Sequence, residues 1–321
     1  MTTGILTIDL GALAANWRLL RDRLNGAECA AAIKADAYGL GADRAVIALH
    51  SAGCRHFFVA LPGEGISLRR SLDEHGRDAA IHLLCGPDHE DTLVACRDHR
   101  LTPVLNSRQD LDAWRSFSPA APADLHIDTG MRRLGLDPDD LVSIHGLNIC
   151  YVMSHLACAD QADSPLNRRQ LDDFVRIRQH YPGTLASFAN SSGIFLGTDY
   201  HFDLARPGSA LYGINPTPAC LNPMAQVIRL QGKILQVRAV DTPQTVGYGA
   251  THAIRRKGRI ATVGIGYGDG YFRSLSNNGC GYLGSYRVPL VGRVSMDLMT
   301  FDVTDVPENL ARPEALIDLI G

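Results

Sequence analysis

Between Leu6 and about Pro216, eight short apolar runs alternate with longer amphipathic stretches, and this alternation restricts the possible folds more than any other feature. The runs lie at 29–33, 56–60, 81–85, 102–105, 125–128, 150–154, 185–189 and 210–214, and each reads as a buried strand. The stretches around them, at 12–24, 42–52, 65–72, 91–97, 110–117 and 167–181, read as helices. The last of these sets Leu171, Phe174, Val175 and Ile177 near one face. Strands that regularly exchange with helices predict a parallel sheet covered on both sides. Eight such units predict a (β/α)8 barrel, whose reactive groups gather at the C-terminal strand ends. An open doubly wound sheet is the alternative, but no GxGxxG follows the first strand to support it.

From Asn222 onward the texture changes. Strand-like runs at 225–230, 233–240, 260–265, 287–291 and 298–303 are separated by turn signals such as Asn277-Asn278-Gly279. They predict a smaller, mostly β second domain. Asn215-Pro216-Thr217-Pro218 is the expected junction, which divides the chain into a barrel over 9–218 and a β domain over 219–321. The strand near 5–8 is free to join either one. At 321 residues, 45% hydrophobic and 20% charged, the chain has ample core for this plan. A net charge of -3 gives no electrostatic case for nucleic acid or an anionic membrane as partner. The start, Met1-Thr2-Thr3-Gly4, has no basic or apolar leader pattern, and no apolar run is long enough to span a bilayer. The cysteines at 29, 54, 85, 96, 150, 158, 220 and 280 lack CxxC or Cys/His ligand spacing. They read as buried thiols of a reducing cytoplasm, with neither a metal site nor a disulfide framework.

The candidate chemistry falls at the ends of the predicted strands. The run at 29–33 meets Lys34, and Ala35-Asp36-Ala37-Tyr38-Gly39-Leu40 follows as a polar turn. A lysine leaving a buried parallel strand is costly unless it is paired, neutralised or used covalently. That setting suits a Schiff-base lysine, although a snorkelling strand-end charge is the plainer reading of the pattern alone. His126-Ile127-Asp128-Thr129-Gly130-Met131-Arg132-Arg133-Leu134-Gly135 brings a strand into a glycine turn with two arginines. Met153-Ser154-His155-Leu156-Ala157 ends another strand on a histidine. Ala189-Asn190-Ser191-Ser192-Gly193 and Arg206-Pro207-Gly208-Ser209-Ala210 offer hydroxyls and unobstructed backbone N–H groups. They fall where barrels bind phosphate, after the seventh and eighth strands. Three glycine-rich stretches lie in the second domain: Val246-Gly247-Tyr248-Gly249-Ala250-Thr251, Gly264-Ile265-Gly266-Tyr267-Gly268-Asp269-Gly270 and Gly292-Arg293-Val294-Ser295-Met296-Asp297.

In this order and spacing, these eight stretches resemble the alanine racemase family, over residues from Ile8 to about Asp305. The lysine stretch and "GRVSMD" are the specific ones; the others carry weight through their order. The resemblance implies pyridoxal 5'-phosphate attached to Lys34 on a barrel, with the strand at 1–8 paired into the β domain. It implies that Tyr38, Ser191, Gly208 and Ser209 hold the phosphate, and that Arg133 meets the phenolic oxygen. It places His155 on the ring side and Arg206 at the pyridine nitrogen. Racemisation of L-alanine to D-alanine, a peptidoglycan precursor, would use Lys34 as one base and Tyr248 as the other. A phenol is a poor base unless neighbouring cations favour its anion, and Arg206 with His155 are the candidates. In the family the tyrosine comes from a second subunit, which implies a head-to-tail homodimer. The Met296 N–H would receive the substrate carboxylate, Asp297 would border it, and Tyr267 would line the entrance.

The departures from the family pattern are specific. His126 stands where many members carry a lysine modified to a carbamate that braces the arginine, so Arg133 is expected to be oriented by an anion or a nearby carboxylate. Arg132 replaces a usual glycine, and Gly268 a usual alanine. The sequence ends at Leu319-Ile320-Gly321, where the family continues into a tail bearing a tyrosine for the phosphate. The resemblance therefore implies a C-terminally shortened member, or a sequence that continues. Three other activities are weighed beside alanine racemisation: a broader amino-acid racemase, a decarboxylase of basic amino acids and a non-catalytic pyridoxal-phosphate binder.

Overall fold

The computed structural model describes residues 3–87, 89–139 and 142–320 and divides into two compact units. One runs from Asp9 to Val227; the other combines the chain up to Ile8 with everything from Ile228 onward. The break falls after Val227, later than the Asn-Pro-Thr-Pro stretch suggested. Residues up to Val227 stay with the first unit because Asn16, buried on the helix Leu10–Arg23, ties them there. Its side chain accepts the Ala225 N–H at 2.7 Å and donates to the carbonyls of Ala225 and Leu211.

The first unit is a parallel barrel. Its sheet runs, in order, through Glu28–Cys29, Leu204–Ala205, Leu185–Ser187, Asn148–Met153, Pro122–His126, Leu101–Leu105, Ala80–Leu83, His56–Val59 and Ala31–Ala32. The first and last segments are halves of one strand interrupted at Ala30. One half pairs with Leu204–Ala205 and the other with His56–Val59, while the Ala30 N–H donates to Ala205. The sheet is therefore drawn closed through a shared strand, which makes eight strands from nine segments. Ala30, Ala32, Phe58, Val104, Tyr151, Met153 and Leu204 pack together inside it. Ala30 with Ala32, and Tyr151 with Met153, are two apart along their strands, which is the period that points alternate side chains to one face.

The eighth strand differs from the sequence reading. Residues 210–214 are not a strand; Ser209–Tyr212 is a 3-10 turn, and the strand is Leu204–Ala205 just before it. Ala210, Leu211 and Tyr212 are as buried as strand residues, and burial was the signal that the apolar run carried. The other strand and helix expectations meet elements at nearly the same positions, the helix Ala42–Ala52 at both ends.

The second unit is a seven-stranded antiparallel sheet. Its longest strand, Ile228–Val240, is a single element where the sequence suggested two, and it pairs with Gly4–Ile8 on one segment and Gly258–Val263 on another. Cys280–Leu283 and Leu316–Ile320, which carried no clear pattern, complete the sheet with Tyr286–Pro289 and Met299–Asp302. Its core gathers Ile234, Val263, Phe301 and Ile317.

Candidate active site

At the C-terminal ends of the barrel strands lies a cavity of about 500 Å³, in the range of small-molecule sites. Eight residues singled out from the sequence line it: Lys34 and Tyr38 from the first strand end, Arg133 from the fifth, His155 from the sixth, Ser191 from the seventh, and Arg206, Gly208 and Ser209 from the eighth. His126 lines it as well, and among the described residues no carboxylate does. A wall of cationic groups and hydroxyls without acids is suited to an anionic ligand.

Lys34 opens an unusual segment. Ala35, Asp36, Ala37 and Tyr38 all adopt left-handed helical angles, with φ from 52° to 59°. For non-glycine residues this conformation costs about 1–2 kcal/mol each, so the surroundings offset roughly 4–8 kcal/mol here. The Ala37 N–H donates to Ile33, and Ala37 is fully buried. Glu64 Oε1 accepts the Ala35 N–H at 2.6 Å, and Asp36 Oδ1 accepts the Ala42 N–H at 2.7 Å. The turn brings the Tyr38 ring to 4.5 Å from that of Tyr212. The sequence reading of a polar turn missed both the handedness and the role of Glu64.

Tyr38 lies close over Gly208. A Cβ on Gly208 would push against Tyr38 Oη and stand 3.3 Å from Ala32 Cβ, so a side chain there would displace the tyrosine hydroxyl. Ser191 Oγ accepts the N–H groups of Gly208 at 2.9 Å and Ala210 at 3.2 Å. Those two backbone donors fix the Ser191 hydroxyl beside Tyr38 Oη, and two hydroxyls at a side-chain-free turn suit a phosphate group.

Arg206 forms the floor of the cavity. It is buried, donates to Ser187 Oγ and to the Ser154 carbonyl, and lies 3.4 Å from His155 Nδ1. Burial lowers it to about 10, and the buried Asp124 carboxylate, bonded to His82, opposes that shift. The guanidinium stays cationic at neutral pH. Burial, and then the Arg206 charge, hold His155 neutral at about 3 and His126 at about 4. Both lie below the ordinary histidine value near 6.5, so the unfolded chain binds more protons across that gap. The stability they contribute is complete above about pH 6.5. It is lost as pH falls toward their folded values, by about 1.4 kcal/mol per pH unit per histidine. Urea titrations between pH 7 and 4.5 should show this decline, and His126→Gln should roughly halve its slope.

The loop carrying Arg133 is braced through its backbone. Asp128 accepts the N–H groups of Gly130, Met131 and Arg132 at 2.7–2.8 Å, and the loop returns to the strand where Leu136 donates to His126. The carboxylate expected beside Arg133 is therefore present but grips the turn and not the guanidinium. His126 is turned away to Asn106 Oδ1 at 2.8 Å. Gln170, which the sequence did not single out, stitches this loop to the next. It donates to Thr129 Oγ1 and the His155 carbonyl and accepts the Ala157 N–H. Arg132 sits at φ 57° where glycine is favoured. Arg132→Gly should raise the melting temperature by about 1–3 °C, the relief of left-handed strain exceeding the entropy that glycine adds to the unfolded chain.

The remaining candidates form a cluster of their own on the second unit. The Tyr267 N–H donates to the Ser295 carbonyl and the Gly268 N–H to Met296, and a Cβ on Gly266 would stand 2.2 Å from Met296 O. Gly247 and Gly292 allow the Tyr248 loop to lie against the same segment. Tyr248 is 72% exposed, Met296 55% and Tyr267 41%, and Asp297 is also exposed.

Comparison with known proteins agrees across the chain. Residues 8–216 match the family described as alanine racemase, N-terminal domain, and residues 227–321 match alanine racemase, C-terminal domain. The chain is 53% identical to an alanine racemase of Rhodospirillum rubrum, over 99% of this chain and 87% of that one. It also resembles the crystal structure of an alanine racemase from Bartonella henselae with covalently bound pyridoxal phosphate. That likeness has a TM-score of 0.93 and 38% identity, over 100% of this chain and 91% of the other. The biosynthetic alanine racemase of Pseudomonas aeruginosa is similar with a TM-score of 0.90 and 32% identity, over 100% and 91%.

Proposed function

The chain belongs to the alanine racemase family, and from that premise we propose that it interconverts L- and D-alanine with two bases, Lys34 and Tyr248 of the partner subunit. Its cofactor is pyridoxal phosphate, which when bound supplies an aldehyde for amines and an electron sink beside the α-carbon. The cavity fits that group: among the described residues its walls carry no acid, and the Gly208 turn lies open beside Tyr38 Oη and Ser191 Oγ.

Tyr38 Oη, Ser191 Oγ and the Gly208-Ser209 turn would hold the phosphate, with Ser191 set in place by the N–H groups of Gly208 and Ala210. Arg133, on the cavity wall, would meet the phenolic oxygen, and Arg206, fixed by Ser187 and Ser154, would face the ring nitrogen. A permanent cation there would disfavour a proton on the ring nitrogen of the bound cofactor and so favour return of a single proton over transfer chemistry. His155, neutral and 3.4 Å from Arg206, orients the arginine and does not move the substrate proton.

Lys34 anchors the cofactor between turnovers, then takes or returns the α-proton on one face. Tyr248 of the partner subunit serves the other face. The Met296 N–H receives the substrate carboxylate, with Asp297 and Tyr267 around it, in a head-to-tail homodimer. The exposure of Tyr248, Tyr267 and Met296 on one surface supports this arrangement, since grouped exposed apolar and aromatic side chains mark association sites.

The observation that carries the proposal is Lys34 on the same cavity as the buried Arg206, with no acid among its described lining residues. Incubating the full chain with pyridoxal phosphate and L-alanine should yield D-alanine by chiral chromatography. Absence of D-alanine, with no cofactor mass fixed to the Lys34 peptide after borohydride reduction, would overturn it.

A further inference from the structure

Glu64 does two things with one carboxylate. Oε2 accepts the N–H groups of Ala60 at 2.8 Å and Leu61 at 3.1 Å and so caps the helix Pro62–Glu74. Oε1 reaches a different strand end and accepts the Ala35 N–H at 2.6 Å, directly after Lys34. Capping alone does not need a glutamate. Asp110 occupies the same third position of the helix Arg108–Phe117, and one of its oxygens accepts the N–H groups of Asn106 at 2.8 Å and Ser107 at 3.1 Å. An aspartate therefore closes such a strand-to-helix joint with the same pair of bonds. The additional methylene of Glu64 is what lets a third amide be taken from the neighbouring strand.

That amide is the first of the left-handed turn, whose far end is fastened by Asp36 on the Ala42 N–H. Lys34 precedes the turn and Tyr38 closes it, and both face the same cavity, which Glu64 does not line. We propose that Glu64 is a positioning residue for Lys34 and Tyr38, holding the left-handed turn formed before any cofactor arrives. The inference rests on the cavity being the pyridoxal-phosphate site and adds to it a residue outside its walls.

Glu64→Asp is the discriminating variant, because it keeps the charge and the cap but falls short of Ala35. In the cofactor-free full chain, hydrogen exchange of the peptide covering 34–40 should quicken by about tenfold or more, while that covering 60–66 changes little. The dissociation constant for pyridoxal phosphate should rise by about tenfold, and kcat at saturating cofactor should fall while KM for alanine stays within about twofold. Asp9→Ala, which removes the cap on the Ala12 N–H, should lower the melting temperature and leave both readouts at 34–40 and the cofactor affinity unchanged. Wild-type exchange and affinity in Glu64→Asp would overturn the proposal, and so would equal weakening by Asp9→Ala. The exchange measurement needs no cofactor. It judges the clamp even if the unaltered chain fails to bind pyridoxal phosphate, a result that would sink the functional reading instead.

Discussion

Replacing Lys34 with Ala is expected to lower racemisation by at least about 10³-fold while leaving cofactor binding measurable. On the proposed reading the variant loses both the amine that anchors the cofactor and the base on one face of the α-carbon. It keeps Tyr38, the Ser191 hydroxyl and the Gly208 turn, the groups proposed to hold the cofactor's anionic end. Equilibrium dialysis should therefore detect pyridoxal phosphate on Lys34→Ala, whereas borohydride reduction followed by mass spectrometry should find none attached. The visible absorbance of lysine-bound cofactor should vanish in parallel. Retention of covalent cofactor in the variant would show that another amine does this work. A drop of only a few-fold would remove Lys34 from the chemistry.

How far this site could be read from the chain depended on the distance over which each feature is determined. The strands of the barrel were legible because each is a continuous buried run of the kind a covered parallel sheet requires. The same signal misled at 210–214, where a 3-10 turn buries Ala210, Leu211 and Tyr212 as completely as a strand would. Cavity-lining residues such as Lys34 and Gly208 stood out because a charge at a strand end and a side-chain-free turn are local anomalies. The left-handed turn left no such mark. Ala35-Asp36-Ala37-Tyr38 contains neither glycine nor asparagine, and its conformation is held by a carboxylate that arrives from residue 64. Gln170 was invisible for the same reason: in the sequence it is one more polar residue on an amphipathic helix. Only the fold brings it between the Thr129 and His155 loops. Residues that touch a ligand were easier to recognise than those that hold them in place.

The role proposed for Tyr248 in a partner subunit leads to the second large effect, and subunit mixing tests it. Tyr248→Phe alone should lower kcat/KM for both enantiomers by about 10²–10⁴-fold, equally in each direction because the equilibrium between mirror images is unchanged. Lys34 remains on its own face in that variant, so one enantiomer should still exchange its α-hydrogen with solvent deuterium without inverting. Mixing subunits then separates the two possible origins of the tyrosine. When Lys34→Ala and Tyr248→Phe chains are unfolded together and refolded at equal amounts, about half of the dimers contain one of each. If each site combines Lys34 of one chain with Tyr248 of its partner, such a mixed dimer holds one intact site and one doubly altered site. Activity should then return to about a quarter of that of the unaltered protein, since half of the sites in half of the dimers are whole. If lysine and tyrosine came from the same chain, every site would carry one lesion and mixing would restore nothing. Recovery near a quarter, lost again when the same two substitutions are placed in one chain and mixed with a Tyr248→Phe chain, is the outcome that a shared site demands.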